Sequence, residues 1–567
     1  MRGSDAILEM MEKYGVQTVF GLIGETSFPL YESWEKYDKI RHVLVRDERN
    51  AAIMADGYSR SGQKPGICEV PGVGASYTLP GIIEAYNSGT PMVVLSSDIS
   101  LSSEKKDYLT EYDKSGMFRQ ITKEYISVND GKDIPRLLRR AFRIATSGRM
   151  GPVFVRFPMN TYIDQVPEQE LYAQTVFAKY PSVRAAPGEE LLVAALNMIR
   201  KSTSPVIVAG QGVLLSHAEA ELQEFSDRLG IPVATTISGK GSVSELGELS
   251  LGVIGSRGGT DFSNGVLSAS DLVFYVGTNA DSASTSEWKN PPQFATGRKI
   301  IHLDVSEFEL GNNYPTDLFL YGDAKLTLSI MNRIAARGNS MKWNRSSLIQ
   351  KRKDSIEYQN KLGERKLHTV NPVRLVKALQ DLVPEDSVIA GDPGVGTIYS
   401  SAYFRVSKPG RKFLFNYAVG GLGFSLPAAI GAHYATGKTT FSMTTDGSFG
   451  FVEGELETLK RYEPDVKVII VNNGSFGWIR ATMMALYDRI VGETEFKQVD
   501  FSGLAKAHGI PYDVIVNDGE LNEKIKGSMK EKGPYILEIV TEPEDKIVPP
   551  VPEWRSITER HNVEYLG

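Results

Sequence analysis

From Thr444 to Arg480 the chain reads TTDGSFGFVEGELETLKRYEPDVKVIIVNNGSFGWIR. One strand ends in Asp446-Gly447-Ser448, and a second, KVIIV, ends in Asn472-Asn473. Short apolar runs alternate with amphipathic stretches over most of the remaining length: TVFGLIG at Thr18, RHVLV at Arg41, ERNAAIMADGYSRSG at Glu48, PGICEV at Pro65. That alternation is the signature of α/β domains built on parallel sheets.

Outward from this stretch, two polar or proline-marked segments, about Val166 to Gly188 and about Gly338 to His368, read as linkers. They predict domains at residues 1–165, 186–340 and 368–545, with a tail at 546–567. The first and third blocks share a pattern, AAIMADGYSRSGQKPGICEVPGVGA at Ala51 and AAIGAHYATGKTTFSMTTDGSFG at Ala428. In each, a small-residue helix beginning AAI leads to a Gly-Lys-type turn, an apolar strand and a glycine-containing loop. Domain duplication accounts for this, and a chance match is the alternative.

Composition narrows the partners. Acidic side chains number 69 against 63 basic ones, a net charge of -6, so the chain lacks the positive field that nucleic-acid binding requires. A small-molecule partner is expected. A single cysteine, Cys68, forms neither an internal disulfide nor a thiolate cage and fits a reducing compartment. Asp5, Glu9 and Glu12 interrupt the opening segment before an export signal could form, so the expected location is the cytoplasm. Phe413 to Ala435 is apolar enough to raise a membrane question, but Gly420, Gly421, Gly423, Pro427 and Gly431 break it. A glycine-rich turn entering a buried helix is expected there instead.

Asp446 and Asn473 are oxygen donors at strand ends, and Mg²⁺ takes oxygen ligands at roughly 2.0–2.1 Å while sharing its sphere with phosphates. Gly447 lets the backbone approach a phosphate, and the amides opening the next helix favour negative charge. With Asn473 standing 27 positions after Asp446, the segment resembles the fingerprint of thiamine-diphosphate (ThDP) enzymes, in particular the acetolactate-synthase-like family. Thr445 replaces the first glycine of the usual G-D-G-S. The resemblance implies that Asp446, the Asn473 side chain and the Ser475 carbonyl hold Mg²⁺, with Gly447 and Ser448 beside the diphosphate.

Other parts of the chain extend the resemblance. NYAVGGLGFSLPAAIGA is similar to the segment gripping the aminopyrimidine ring. There the Gly420 carbonyl accepts from the exocyclic amine, and Leu422 is the wedge that bends the cofactor. AGDPGVGTIYS supplies Gly394, Val395 and Gly396 as diphosphate-binding candidates. RHVLVRDERNAAIMADGYSR resembles the segment in which a strand ends in the activating glutamate, here Glu48. Its proton at N1′ favours the imino tautomer, whose N4′ removes the thiazolium C2 proton. An apolar, cofactor-filled pocket is expected to raise the Glu48 pKa. GPVFVRFP at Gly151 and DFSGLAKAHG at Asp500 extend the similarity over nearly the whole chain. The fold implied is three doubly wound parallel-sheet domains: pyrimidine-binding, central and diphosphate-binding. Because the family pairs the first domain of one subunit with the third of another, a homodimer or homotetramer with active sites at the subunit interface is implied.

In the middle block, PVIVAGQGVLLS has a strand, Gly-x-Gly and a helix but lacks a third glycine. Asp304 and Asp323 stand where nucleotide-binding relatives contact adenosine, whereas Asn279 stands where FAD-binding relatives carry arginine. That argues against flavin; ADP, a CoA thioester or no ligand stays open. Leu109-Thr110-Glu111 replaces the Phe-Gln-Glu of acetohydroxyacid synthases, and Thr482 replaces their tryptophan four places after a methionine, with Trp478 at the methionine position. DISLSSEKKDYLTEYD lacks the histidine pair of pyruvate-decarboxylase-like members. With Tyr77, these pocket residues match no single relative.

The expected activity is a ThDP- and Mg²⁺-dependent carbon–carbon lyase or carboligase acting on a 2-oxo acid or related substrate. A 2-hydroxyacyl-CoA lyase or oxalyl-CoA decarboxylase-like enzyme is the alternative, suggested by Leu109 to Asp113. An FAD-dependent pyruvate oxidase ranks below both, and retention of Glu48, Asp446 and Asn473 argues against a non-catalytic paralogue. The proline-opened tail is expected to leave the third domain, either as an active-site lid carrying Trp554, Arg555 and Tyr565 or as a surface segment.

Overall fold

The computed structural model describes residues 1–292, 297–335, 343–543 and 546–551. Among these residues, eighteen strands form three six-stranded sheets. The first holds β1 (Thr18–Gly21), β2 (Arg41–Leu44), β3 (Gly66–Val70), β4 (Met92–Asp98), β5 (Glu124–Ser127) and β6 (Pro152–Pro158) in the order β2-β1-β3-β4-β6-β5. The second holds β7 (Pro205–Ala209), β8 (Val233–Thr235), β9 (Ser250–Val253), β10 (Leu272–Val276), β11 (Lys299–Asp304) and β12 (Leu318–Tyr321), ordered β12-β11-β10-β7-β8-β9. The third holds β13 (Val388–Gly391), β14 (Phe413–Phe415), β15 (Thr440–Thr445), β16 (Val466–Asn472), β17 (Tyr512–Ile515) and β18 (Tyr535–Val540), ordered β14-β13-β15-β16-β18-β17. Central strands such as β3, β4, β7 and β16 are buried along their whole length, as parallel sheets covered on both faces require.

Counted within each sheet, the first and third have the same strand order, in keeping with the AAI repeat. By packing, the chain divides into two units. Unit 1 is Met1–Val183 with Ala418–Thr440 and Val452–Val466; unit 2 is Arg184–Tyr417, Phe441–Phe451 and Lys467–Gly567. Within unit 1 the two AAI helices, Glu48–Gly62 and Ser425–Thr436, lie against each other. Glycine permits the approach: a Cβ on Gly57 would come within 2.3 Å of the Ala428 carbonyl oxygen, and one on Gly431 within 2.0 Å of that of Met54. Phe413 to Ala435 is a strand, a glycine turn and a buried helix, and among the described residues no helix is long and apolar enough to cross a membrane.

Two expectations need correction. The segment read as a linker at Gly338 to His368 contains a 20-residue helix, Arg345–Glu364, capped by the Asn344 side chain. Only Leu348 and Leu362 are buried in it, so it has no apolar periodicity for a sequence reading to detect. The tail does not depart from the third domain at its prolines. Ile547 and Val551 are buried in unit 2, and the Tyr399 hydroxyl donates to the Val548 carbonyl at 2.7 Å. Trp554, Arg555 and Tyr565 lie outside the described residues.

Candidate active site

In unit 2, the proposed diphosphate residues collect at the carboxyl ends of the neighbouring strands β13, β15 and β16, around the point where strand order reverses. Open α/β sheets bind ligands at that edge. Gly394 caps the helix Val395–Tyr403 with φ +146, and its absent Cβ would lie 2.6 Å from Thr445 Cγ2. The amides of Val395 and Gly396 thus open a nine-residue helix, a suitable seat for an anion. Thr445, the departure from the family pattern, accepts from the Ser448 amide at 3.3 Å and caps the short helix Asp446–Phe449.

Asp446 Oδ1 is buried without a hydrogen-bond partner, and so is the Ser448 hydroxyl. Burial pushes the Asp446 carboxyl up to about 6, opposed by the amides of Gly447, Asn473 and Gly474. An orphaned buried carboxylate oxygen suits a hard cation, which would neutralise the buried charge. The Asn473 Oδ1 accepts from the Ser475 amide at 3.0 Å and from its hydroxyl at 3.2 Å. An antiparallel bridge pairs Ser475 with Glu495 through Phe476 N–H to Thr494 O and Phe496 N–H to Gly474 O, neither of which uses the Ser475 carbonyl. These residues fit Mg²⁺ and diphosphate. Gly447 is required for a further reason that the sequence did not reveal: a Cβ there would lie 2.9 Å from the Phe476 ring and 3.0 Å from that of Phe496.

In unit 1, Glu48 opens its helix rather than ending a strand. β2 stops at Leu44, and Asp47 caps the helix by accepting from the Arg49 amide at 2.8 Å. Glu455 Oε1 accepts from Arg46 N–H at 3.0 Å and Asn50 Nδ2 at 2.8 Å, bracing the chain on both sides of Glu48. The Glu48 carboxyl is half-buried, and burial raises its pKa despite the hydrogen bond from its own amide. It occupies the space left by glycine at Gly74, where a Cβ would meet Oε1 at 2.2 Å. Gly74 lies in the quoted PGVGA but was not singled out.

The Gly420–Leu422 turn, also in unit 1, has φ +80 at Gly420, and Leu422 is half-buried. Next to it, the Val419 amide donates to Glu84 Oε2 at 2.9 Å, while Arg60 holds Glu84 Oε1 at 3.1 Å and Asp56 at 2.8 Å. Glu84 thus ties down the turn expected to grip the pyrimidine. Glu84→Ala should weaken ThDP binding roughly tenfold, the effect of one lost charge-assisted hydrogen bond. Titration of the variant with cofactor checks this, and an unchanged affinity would contradict it.

Glu69, fully buried on β3, was also missed. Its Oε2 accepts from the Tyr31 hydroxyl at 2.6 Å, that hydroxyl meets His42 Nε2 at 2.8 Å, and Oε1 has no partner. Burial pushes Glu69 up to about 8, and burial pushes His42 down to about 4. A raised carboxyl stabilises the fold fully only below its unfolded value, and that stability is lost as pH rises to about 8. Glu69→Gln, neutral at every pH, should therefore gain in melting temperature relative to wild type between pH 5 and pH 8.5. A pH-independent difference would refute this.

Of the residues expected in the substrate pocket, Tyr77 and Leu109 are exposed and Thr110 has φ +76, all in unit 1. Trp478 and Thr482 share the helix Gly477–Tyr487 in unit 2. In the central sheet, Asp323 is engaged by Arg184 at 2.7 Å and the Ser216 hydroxyl at 2.7 Å, and it caps the helix Ala324–Ile334. Asp304 accepts from the Ser306 amide at 2.9 Å. Gly210 and Gly212 pack against Gly277, where a Cβ would meet backbone at 2.2 and 2.7 Å.

Comparison with known proteins agrees with this architecture. The thiamine pyrophosphate enzyme N-terminal TPP binding domain matches residues 1–117, the central domain 192–331 and the C-terminal TPP binding domain 392–539. The probable acetolactate synthase large subunit of Methanocaldococcus jannaschii is 31% identical, covering 100% of this chain and 96% of its own. Acetolactate synthase, chloroplastic, of Arabidopsis thaliana is 30% identical over 97% of this chain and 83% of its own. The acetolactate synthase large subunit of Lactococcus lactis is 29% identical over 97% and 94%. The chain therefore belongs to the acetolactate-synthase-like family of thiamine-diphosphate-dependent enzymes.

Proposed function

We propose that the protein is a ThDP- and Mg²⁺-dependent carboligase that takes an acyl unit from a 2-oxo acid, with loss of CO₂, and joins it to an acceptor carbonyl. The observation carrying this reading is similarity along the full chain to proteins named acetolactate synthases, acetolactate being the product of joining such a unit to a second 2-oxo acid. Bound ThDP supplies a thiazolium carbon that adds to a carbonyl and accepts the electrons released when the adjacent bond breaks.

The residues have separate roles. Asp446, the Asn473 side chain and the Ser475 carbonyl hold Mg²⁺; Gly394, Val395, Gly396, Gly447 and Ser448 seat the diphosphate; Gly420 and Leu422 take the pyrimidine and the bend. Glu48 holds a proton at N1′, and its raised pKa keeps that proton available near neutral pH. The active form is a homodimer or homotetramer in the cytoplasm. Residues 1–165 bind the pyrimidine, 368–545 the diphosphate, and 186–340 form a central domain without flavin. The engagement of Asp323 by Arg184 and Ser216 disfavours an adenine nucleotide or CoA there, and with it the acyl-CoA lyase reading.

The test is to supply ThDP, Mg²⁺ and a panel of 2-oxo acids beside 2-hydroxyacyl-CoA and oxalyl-CoA esters, following CO₂ and aldehyde. CO₂ release from 2-oxo acids is expected, and turnover of CoA esters alone would overturn the assignment. We also propose that the tail, expected at residues 546–567, serves as a lid over this site beyond its packed opening at Ile547 to Val551. Val551 packs with Ile398 and Trp478 where the lid would begin. Truncation after Pro550 should leave assembly and ThDP affinity intact, lower kcat/KM about tenfold or more, and raise the share of uncoupled protonated product. Unchanged kinetics would contradict it.

A further inference from the structure

We propose that a cavity of unit 2 binds a phosphate-sized oxyanion between Arg352 and Arg405. Three parts of the chain wall it: the edge strand β9, the helix Arg345–Glu364, and the segment leaving the helix Val395–Tyr403. It lies at the far end of that last helix from the amides assigned to the diphosphate, nine residues or about 13 Å along the axis. From the long helix, Arg352, Ser355, Ile356 and Gln359 line the cavity, and their i, i+3, i+4, i+7 spacing puts them on one face. A helix with only two buried residues thus commits one face to this cavity.

The charges around the cavity do not balance. Glu245 lines it, but its carboxylate is already engaged: Lys240 Nζ donates to its two oxygens at 2.8 and 2.7 Å, and the Val406 amide donates to Oε2 at 2.8 Å. Arg352 and Arg405 are both half-buried and meet only neutral groups. Arg352 donates to the Glu245 and Leu246 carbonyls at 2.5 and 3.4 Å, and Arg405 donates to Gln359 Oε1 at 2.7 Å. Neither forms an ion pair among the described residues, and nearby Glu248 is held by Arg345 at 2.6 Å. Three cations therefore share one carboxylate, which leaves two positive charges over. Burial and the nearness of Arg405 hold the Arg352 guanidinium below its usual pKa, and Lys240 is lowered in the same way. Other half-buried arginines of the chain are matched: Arg156 holds Asp98 and Glu104, and Arg184 holds Asp323.

Size and donor chemistry select the ligand. The cavity holds about 60 Å³, against about 30 Å³ for one liquid water, so a single tetrahedral oxyanion fits and a nucleoside does not. Guanidinium forks bind phosphate oxygens through paired N–H donors, and Ser250 and Ser355 add hydroxyls to the lining. Stabilising the C-terminus of the helix Val395–Tyr403 does not account for all three cations. Lys240 already donates there, to the Ser401 carbonyl at 3.1 Å, and Arg352 belongs to a different helix. A bound oxyanion would cancel the surplus charge and tie the long helix to both neighbours.

Titrating inorganic phosphate into the protein saturated with ThDP and Mg²⁺, at constant ionic strength with chloride as the reference anion, tests the site without turnover. Wild type should gain melting temperature saturably. Arg352→Gln and Arg405→Gln should each weaken phosphate binding about tenfold to a hundredfold. Lys408→Gln, which removes an exposed cation paired with Glu385, should leave it unchanged. In chloride alone, Arg405→Gln should melt no lower than wild type, because it relieves repulsion between cations; a cation with a purely structural role would lower it. Ethyl phosphate identifies the source: weaker binding than phosphate assigns the site to the free ion, and equal or tighter binding assigns it to the phosphoryl group of an ester. A phosphate response seen only before ThDP is added would place the ion at the diphosphate seat and overturn the proposal. Equal weakening by Lys408→Gln, or a lower melting temperature of Arg405→Gln in chloride, would also overturn it.

Discussion

Glu48→Gln should bind ThDP with nearly wild-type affinity yet exchange the thiazolium C2 proton and turn over substrate about 10²–10⁴-fold more slowly, the range that a positioned acid or base contributes. The substitution keeps the shape of a side chain that fills the niche at Gly74, so the helix from Glu48 to Gly62 and its bracing through Glu455 remain intact. What changes is the proton. An amide cannot deliver one to N1′, whereas a half-buried carboxyl with a raised pKa can. Exchange in D₂O followed by NMR reads this step without reference to substrate. Near-wild-type exchange would remove Glu48 from its role.

Asp446→Ala should abolish the thermal stabilisation that ThDP with Mg²⁺ gives the wild-type protein, a gain of about 2.7 kcal/mol at a hundred times Kd. The carboxylate has an unpartnered oxygen in a buried position, and burial pushes its pKa up. Without the ion, its charge is a burden that alanine removes. The cofactor-free variant should therefore melt no lower than wild type at pH 8, while its response to cofactor disappears. Retention of the full cofactor shift would place the metal elsewhere.

The parts of this picture legible in the sequence are those written locally. Strand-end pairs such as Asp446-Gly447 and Asn472-Asn473, the glycines of Gly394-Val395-Gly396 and the alternation of strands with helices depend on neighbours within a few residues, so the local sequence, with the family resemblance it carries, exposes them. The Thr445 departure is likewise local, and its role as a helix cap explains why it disturbs nothing. Contacts between distant segments were not legible. Glu84 meets Val419 across 335 positions, Glu69 meets Tyr31 across 38, and Arg352 meets the Glu245 carbonyl across 107. In each case a charged residue reads as solvated until tertiary structure buries it beside its partner. The helix at Arg345–Glu364 was missed for the opposite reason, having almost no buried face to impose a period.

The central claim is that this protein joins two carbonyl compounds through ThDP. The most direct measurement is ¹³C NMR of the product formed from a 2-oxo acid labelled at C2, with and without ThDP and Mg²⁺. Carboligation places two labelled carbons side by side, so the account predicts cofactor-dependent signals split by one-bond ¹³C–¹³C coupling. Products carrying only isolated labels, or no cofactor-dependent consumption of any 2-oxo acid, would contradict it.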